Sequence, residues 1–249
     1  VELDLHSFKA TWFDWKTKNT KIAKLDHAEW IKSVVQNPSE VYDLKTERKV
    51  YTAPPLHSLL ELQKEANKFY GFTSAETLKI AQSLYEKHKL ITYPRTESKH
   101  LPTEFAKSIH KQLQAISTLE TYKEVASTIL QDSAKISSIV HNKKYVDDKK
   151  LTDHHAITVT DQKLGKKNLT EAELKIYHLV VKRLLSIYLP AYEIDKTAVV
   201  IKSGSELFKA NGQVVIAEGY TALYKKYAKK EDKTLPPLTI GQRLPVKQV

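Results

Sequence analysis

This chain carries the stretch Leu90-Ile91-Thr92-Tyr93-Pro94-Arg95-Thr96-Glu97-Ser98 directly after a helix-like pattern. An apolar pair leads into Tyr93, and Pro94 fixes the next backbone φ and excludes a continuing helix. We therefore expect Tyr93 on a rigid turn, with Arg95 two residues later. A phenol oxygen can attack a phosphodiester, and a guanidinium can hold two phosphate oxygens at once. The stretch predicts a phosphodiester-exchange site on a turn that follows a helix.

The chemistry of this pair has to be weighed against ordinary packing. A phenol is a weak nucleophile at neutral pH, because its usual pKa is about 10. Arg95 could favour the phenolate and offset charge on the reacting phosphoryl group. Tyr93 is one of 13 tyrosines, most of which are expected to pack, and Arg95 could simply pair with Glu97 or Glu104. The placement of Arg95 beside Tyr93 favours the functional interpretation.

Composition limits the classes of function. The 249 residues contain 40 Lys and Arg against 29 Asp and Glu, a formal charge of +11 that suits a polyanionic partner or a merely basic protein. The absence of cysteine excludes disulfides, thiol nucleophiles and cysteine-ligated zinc. Without a membrane-spanning apolar run or a signal-peptide core, we expect a cytoplasmic location and no membrane partner. Because there is no methionine and the pattern starts at Val1, we expect a piece of a longer protein.

The order of patterns predicts an α+β fold with a helical domain inserted into a mostly β domain. Alternating apolar residues indicate strands in 1–53 and 191–249, whereas 54–190 has helical spacing and begins at Pro54-Pro55. In the β part, Asp26 is predicted to cap a helix from His27 to Gln36. Asn211-Gly212 is predicted to form a hairpin turn, and Lys225 to Lys233 a solvated loop.

The helical part has clear start and stop signals. Leu59, Leu62, Ala66 and Phe69 fit one helix face, and Gly71 should end that helix. Capping boxes at Thr73-Ser74-Ala75-Glu76 and Thr170-Glu171-Ala172-Glu173 should open two more helices. Thr103 to Leu130 reads as a further helical block.

A second group of chemically able residues is Thr152-Asp153-His154-His155-Ala156-Ile157. Adjacent histidines cannot share one helix face, so a helical zinc pair is disfavoured. We expect one imidazole to face solvent or a ligand and the other to face inward. A histidine beside a phosphate can donate a hydrogen bond or a proton to it, although taken alone such a pair is more often a surface or packing feature.

Together the two stretches resemble a known family. Ile91-Thr92-Tyr93-Pro94-Arg95-Thr96-Glu97-Ser98 is similar to the active-site signature of type IA DNA topoisomerases. Asp153-His154-His155-Ala156-Ile157 resembles their histidine motif, in the form typical of topoisomerase III. Further segments match the family in order and spacing, so the resemblance covers nearly the whole chain: Pro54-Pro55-Leu56, 62–67, 77–86 and Gly219-Tyr220.

The resemblance implies roles for individual residues. Tyr93 would be the nucleophile that forms a 5′-phosphotyrosyl link on one DNA strand, Arg95 would bind the scissile phosphate, and His154 would contact it or move a proton. The expected DNA-binding residues are Thr96, Glu97, Ser98, Lys99 and His155. Two departures from the family pattern stand out. Glu97 replaces the usual aspartate, and Thr158-Val159-Thr160 lacks a usual proline, which leaves the geometry of that loop open.

The resemblance also implies what this chain lacks. The family carries an N-terminal TOPRIM domain whose glutamate and Asp-x-Asp cluster bind Mg²⁺, but this sequence has no Asp-x-Asp, and Asp147-Asp148 reads as a solvated turn. We therefore expect Mg²⁺ only in the full-length enzyme and no metal site here. The β-rich part (1–53 and 191–249) resembles the arch domain II. The helical part (54–190) resembles the tyrosine domain III, with its winged-helix or helix-turn-helix character.

The expected enzyme is an ATP-independent isomerase that passes strands of single-stranded DNA. It should act as a monomer, with the TOPRIM and remaining domains of the same chain as partners of this piece. This piece alone should be inactive. Two other classes stay open. One is a non-catalytic single-stranded nucleic-acid-binding module in which Tyr93 stacks on a base. The other is a relative that kept the fold and lost the chemistry. A tyrosine recombinase is disfavoured, because its separated Arg, Lys and His positions are not visible.

Overall fold

A computed structural model describes residues 1–151, 153–227 and 234–249 of the chain. The chain divides into two compact units. The sheet unit contains residues 1–51, 192–218 and 234–249, and the helical unit contains the remaining described residues from 52 to 191 and from 219 to 227. The predicted α+β class is confirmed, because a helical unit is inserted between two strands of an antiparallel sheet.

The described residues of the sheet unit form six strands and one helix. In chain order they are β1 (Glu2–Asp4), β2 (Lys9–Trp12), helix α1 (Leu25–Ser33), β3 (Ser39–Tyr51), β4 (Tyr192–Ser203), β5 (Glu206–Ala217) and β6 (Arg243–Leu244). The strand order is β1-β2-β5-β4-β3-β6, and all neighbours run antiparallel. Alternate apolar side chains of the strands, such as Leu3, Ile201 and Phe208, pack with Ile31 of α1 into one core. Burial of this apolar face is what holds the small unit together.

Two sequence predictions in this unit are wrong. Helix α1 begins after Lys24, which makes no side-chain cap, so Asp26 lies inside the first turn, and the helix ends at Ser33. An acidic residue in the first turn still favours the helix through the helix dipole. Asn211-Gly212 forms no turn either, since it lies within β5 and pairs with Thr197 and Ala198 of β4.

The β4–β5 turn instead lies at Gly204, which has φ of +62°. The two strands pair from Glu193 with Ala217 to Ser203 with Glu206, and a turn at 211–212 would sacrifice half of that ladder. A Cβ at position 204 would lie 2.1 Å from the Val34 carbonyl oxygen. Both the left-handed backbone and the close approach therefore require glycine.

The helical unit contains seven helices among the described residues. They are α2 (Leu59–Tyr70), α3 (Ser74–Glu86), α4 (Thr103–Lys107), α5 (His110–Ser117), α6 (Lys123–Gln131), α7 (Ser133–Ser138) and α8 (Glu171–Ser186), joined by short 3₁₀ segments at Glu120–Tyr122, Ile139–His141 and Asp148–Lys150. Their apolar faces share one core around the fully buried Leu62, Leu84, Ile109 and Tyr177. No helix in the described part of the chain is both long and apolar enough to cross a bilayer.

The predicted helix boundaries in this unit hold where a side chain caps the helix. The two capping boxes are confirmed, with Thr73 and Glu76 at α3 and Thr170 and Glu173 at α8 bonded reciprocally. Gly71 ends α2 as expected. The block from Thr103 to Leu130 has no such cap inside it, and it divides into α4, α5, a 3₁₀ turn and α6.

One boundary needs correction. Gly219–Tyr227 forms a 3₁₀ segment that belongs to the helical unit, where Tyr220 N donates to Pro190 O (2.9 Å), whereas the sequence pattern predicts that it lies in the β-rich part. Sequence patterns could not show that the chain returns to the end of α8 after β5. Residues 228–233 of the predicted loop Lys225–Lys233 lie outside the described residues.

Candidate active site around Tyr93

Backbone pairing brings the two predicted motifs together. Ile91 and Val159 form an antiparallel bridge. Thr92 N donates to Thr158 O (2.8 Å), and Thr158 N donates back to the Thr92 hydroxyl (3.0 Å). The Thr158-Val159-Thr160 segment is thus a strand-like partner of the tyrosine stretch. The loop after the histidines therefore has a defined backbone geometry although it lacks the usual proline. The residues just before Tyr93 are fixed at the backbone level.

A third segment, at His57 and Leu59, hydrogen-bonds to both motifs. Ile157 N donates to His57 O (2.8 Å), and Leu59 N donates to Thr96 O (2.9 Å). The fully buried His57 imidazole contacts the Glu65 carboxylate of α2, which also accepts from Arg183 Nη2 of α8 (2.6 Å). This buried polar contact ties the segment to two helices.

Burial decides the protonation of His57. Loss of hydration and the nearby Arg183 charge lower the pKa of His57 to about 4, so the imidazole is neutral at physiological pH. For Glu65, burial opposes ionisation, but the hydrogen bond from His57 and the charge of Arg183 outweigh it and hold its pKa below the usual range. In this cluster, the neutral His57 and the Arg183 cation both contact the Glu65 carboxylate.

Tyr93 and His154 meet at the surface of the helical unit. Their ring centroids lie 4.2 Å apart at an interplanar angle of 41°. Tyr93 is half-buried and His154 is exposed. The Thr96 hydroxyl donates to His154 O (3.3 Å), which ties the two turns together. The imidazole is therefore placed beside the phenol that the sequence singled out.

Helix α3 adds two residues that sequence reasoning missed. Tyr85 lies edge-on to the Tyr93 ring, with centroids 5.5 Å apart. With its amide oxygen turned toward Arg95, Gln82 accepts from Nη2 (2.9 Å) and Nε (3.2 Å). The i, i+3 spacing of Gln82 and Tyr85 puts them on one helix face, but that spacing does not by itself show that the face meets the Tyr93 turn. The exposed Arg95 guanidinium is thus anchored on one edge.

The residues predicted to bind DNA occupy different environments. Thr96 and Ser98 are buried. Ser98 N donates to the Thr96 hydroxyl (3.1 Å) and His100 N donates to the Ser98 hydroxyl (3.2 Å), so both hydroxyls brace the turn. Glu97 is exposed. Lys99 Nζ lies 3.4 Å from a Glu61 carboxylate oxygen at the surface. Only Glu97 and Lys99 of these four present charge to solvent.

His155 faces inward, in contrast to its neighbour. Its ring lies 5.0 Å from Phe105, and its Nδ1 lies 2.8 Å from the Ala156 carbonyl oxygen, where an N–H can donate. Burial lowers the pKa of His155, so it is held as a neutral imidazole. Of the adjacent histidines, one faces solvent beside Tyr93 and the other packs.

The site does not fit a divalent cation by itself. In the described residues no three His, Asp or Glu side chains converge as ligands. The groups around Tyr93 are an imidazole, a guanidinium and an amide, whereas Mg²⁺ prefers carboxylate and carbonyl oxygens. What the arrangement can offer chemically is a nucleophile, a group able to move a proton and a cation for phosphate.

Comparison with known proteins indicates the family of this chain. A family profile for DNA topoisomerase matches residues 1–249. DNA topoisomerase 3 of Bacillus licheniformis is 36% identical over 245 residues, covering 96% of this chain and 33% of that protein. The Bacillus subtilis DNA topoisomerase 3 is 36% identical over 244 residues, covering 95% and 33%. This chain spans about a third of the length of these relatives.

Among solved structures, full-length topoisomerase I from Thermotoga maritima has a similar fold. It matches with a TM-score of 0.67 and 22% identity, covering 98% of this chain and 38% of that one. The family profile spans both units described above, including the Tyr93 turn of the helical unit. This chain belongs to the type IA DNA topoisomerase family.

Proposed function

We propose that this chain supplies the nucleophile of an enzyme that cleaves and reseals single DNA strands, as a topoisomerase III does. The observation that carries the proposal is the contact between the Tyr93 and His154 rings, 4.2 Å apart at the surface, with the Arg95 guanidinium anchored by Gln82 close by in sequence. A phenol used only for packing would not need a solvent-facing imidazole against it.

The proposed step is a transesterification. Tyr93 Oη attacks phosphorus in a DNA strand, the Oη–P bond forms and the bond from phosphorus to the 3′-oxygen breaks. The phenol proton leaves through His154 or solvent, and the 3′-oxygen takes up a proton to become a hydroxyl. The product is a 5′-phosphotyrosyl link. Attack of the 3′-hydroxyl on that link reverses every bond change, so resealing needs no ATP.

Arg95 has a separate part in this step. Negative charge on the non-bridging oxygens increases as phosphorus changes partners, and a fixed guanidinium stabilises that charge. Gln82 occupies one edge of the guanidinium and leaves the remaining N–H groups for phosphate. The Mg²⁺ that the family uses is assigned to carboxylates outside these residues, and no step above depends on it.

The proposal extends to the whole protein. Because the chain spans a third of its relatives' length, we assign strand passage to the complete polypeptide, acting as a monomer on single-stranded DNA in the cytoplasm. The 249-residue chain by itself should not relax negatively supercoiled plasmid, with or without Mg²⁺, whereas the complete polypeptide should relax it. Gel electrophoresis of topoisomers gives the answer, and relaxation by the short chain would overturn this part of the proposal.

A further inference from the structure

All three tryptophans of the chain line one groove on the sheet unit. The groove has a volume of about 730 Å³. Two of the tryptophans, Trp15 and Trp30, expose 62% and 48% of their surface, and Tyr42 in the same groove exposes 56%. Large aromatic side chains gathered in one exposed groove are unusual on a soluble unit and mark a binding surface.

The rings are held in place from within. Trp12 is buried, and its Nε1 donates to Glu206 (2.7 Å). His27 contacts Trp12 edge-on at 5.4 Å and stacks on Trp30 at 6.0 Å. The exposed Trp30 ring therefore continues a row of rings that begins in the core. Because these rings are already held in place, little side-chain entropy is lost when a flat ligand stacks on the outer end of the row.

Lysine ammonium groups lie 5.2 to 5.7 Å from the centroids of three other aromatic rings of the groove. The pairs are Lys16 with Trp15, Lys18 and Lys209 with Phe13, and Lys202 with Tyr42. Cations at this distance from an aromatic face attract its electrons. They also give the groove flexible positive charges next to Trp15, Phe13 and Tyr42.

The carboxylates of the groove are largely engaged in local hydrogen bonds. Asp14 accepts from Lys16 N (2.7 Å) and Thr17 N (3.0 Å) of its own turn. Glu206 accepts from Trp12. Asp43 is the third carboxylate that lines the groove. Two of the three carboxylates are therefore hydrogen-bonded within the protein, and the long lysine side chains can reach outward to a ligand.

We propose that this groove binds unpaired bases of single-stranded nucleic acid, as a site separate from the Tyr93 turn. Exposed rings suit the bases of a strand and the nearby lysines suit its phosphates, and stacking on an aromatic side chain accepts any base. A duplex would hide its base faces. A peptide could use the rings but would leave the lysines without anionic partners.

The tryptophans themselves report on the site, because no other part of the chain contains one. A short oligothymidylate, which forms no duplex, should quench the tryptophan emission of the 249-residue chain. Replacing both exposed rings (Trp15→Ala with Trp30→Ala) should weaken this binding at least about 5-fold, the smallest effect expected for losing one stacked base. Trp12 remains as the fluorophore in that variant.

Tyr51→Ala is the matched control. Tyr51 is also exposed and has a lysine, Lys196, over its ring at 5.8 Å, but it lies outside the groove. Its loss should leave the titration unchanged. The proposal fails if a labelled oligothymidylate binds, as shown by anisotropy, without changing tryptophan emission, or if the double variant binds as the wild type does. It also fails if oligothymidylate has no effect while sedimentation shows self-association that the double variant abolishes, because the groove is then an interface between copies.

Discussion

At the scale of single residues, the proposed chemistry depends on two neighbouring histidines having opposite surroundings. His154 faces solvent against Tyr93, whereas His155 packs on Phe105. The turn keeps them apart because the backbone after His155 pairs with the strand-like segments at His57 and Ile91. One imidazole thus lies beside Tyr93, where it can exchange a proton, while the next one fills space.

His154→Ala in the complete polypeptide should slow formation of the DNA adduct by about 10²-fold or more, the usual range for losing a group that moves protons. Affinity for single-stranded DNA should change little. Quench-flow measurement of adduct formation separates the two quantities. His155→Ala is the control, because His155 packs in the protein. That variant should have a lower melting temperature but should form the DNA adduct at a rate close to that of the wild type. A cleavage rate for His154→Ala within about twofold of the wild type would remove His154 from the mechanism.

The sequence predicted both residues of this contact but not the contact itself. Tyr93 and His154 stand out by their chemistry and by family resemblance, whereas Gln82 and Tyr85 carry no chemical signal of their own in the sequence. Nothing in a helical pattern shows which face will meet a turn that follows several residues later. The distance between Tyr93 and His154 depends on pairing between segments more than 60 positions apart in sequence, which local patterns do not encode.

At the scale of elements, the β4–β5 hairpin turn depends on glycine at position 204. Gly204→Ala should destabilise the sheet unit by more than Gly241→Ala does. Both positions have positive φ, so each substitution costs about 1–2 kcal/mol of backbone strain. Only at position 204 does the added Cβ also meet a carbonyl oxygen, at 2.1 Å, whereas position 241 has nothing within 4 Å.

Urea unfolding followed by tryptophan emission measures this difference, since all three tryptophans lie in the sheet unit. Equal losses of stability for the two variants would contradict the close approach at Gly204. The same hairpin shows a limit of turn motifs. Asn211-Gly212 is a favourable turn pair by composition, yet the long ladder between β4 and β5 outweighs that local preference.

The start of α8 provides a pH-dependent test. Burial opposes ionisation of Glu173, but hydrogen bonds from Ser83 and Thr170 outweigh it and lower the pKa of Glu173 from 4.5 to about 2. A lowered folded-state pKa stabilises the fold above pH 4.5 and loses that contribution as the pH falls toward 2. Glu173→Gln should therefore be less stable than the wild type at pH 7, by a margin that shrinks below pH 4.5.

Urea midpoints followed by far-UV circular dichroism at pH 7, 5 and 3 measure that margin. Glu171→Gln is the matched control, because Glu171 lies in the same helical turn but is exposed and pairs with Lys175. It should cost little at any pH. A margin for Glu173→Gln that stays constant from pH 7 to pH 3 would show that the Glu173 carboxylate does not stabilise the fold through its charge.

At the scale of the whole molecule, the sequence was most informative about order and least about assembly. The split of a β part by a helical insert could be predicted, since strand and helix periods alternate only twice along the chain. The return of Gly219–Tyr227 to α8 could not, because that segment has no local signal for its partner. The tryptophan groove was missed for the same reason, as its rings come from separate strands, turns and one helix.

The central claim is that Tyr93 becomes covalently bound to DNA. A single-stranded oligonucleotide labelled at its 3′ end is incubated with the complete polypeptide, stopped in denaturant and separated by gel electrophoresis. The 3′-terminal fragment should migrate with the wild-type protein through a 5′-phosphotyrosyl link. Tyr93→Phe should bind the oligonucleotide with similar affinity and form no adduct. An adduct on Tyr93→Phe, or none on an otherwise intact wild-type enzyme, would contradict the claim and leave Tyr93 as a stacking residue.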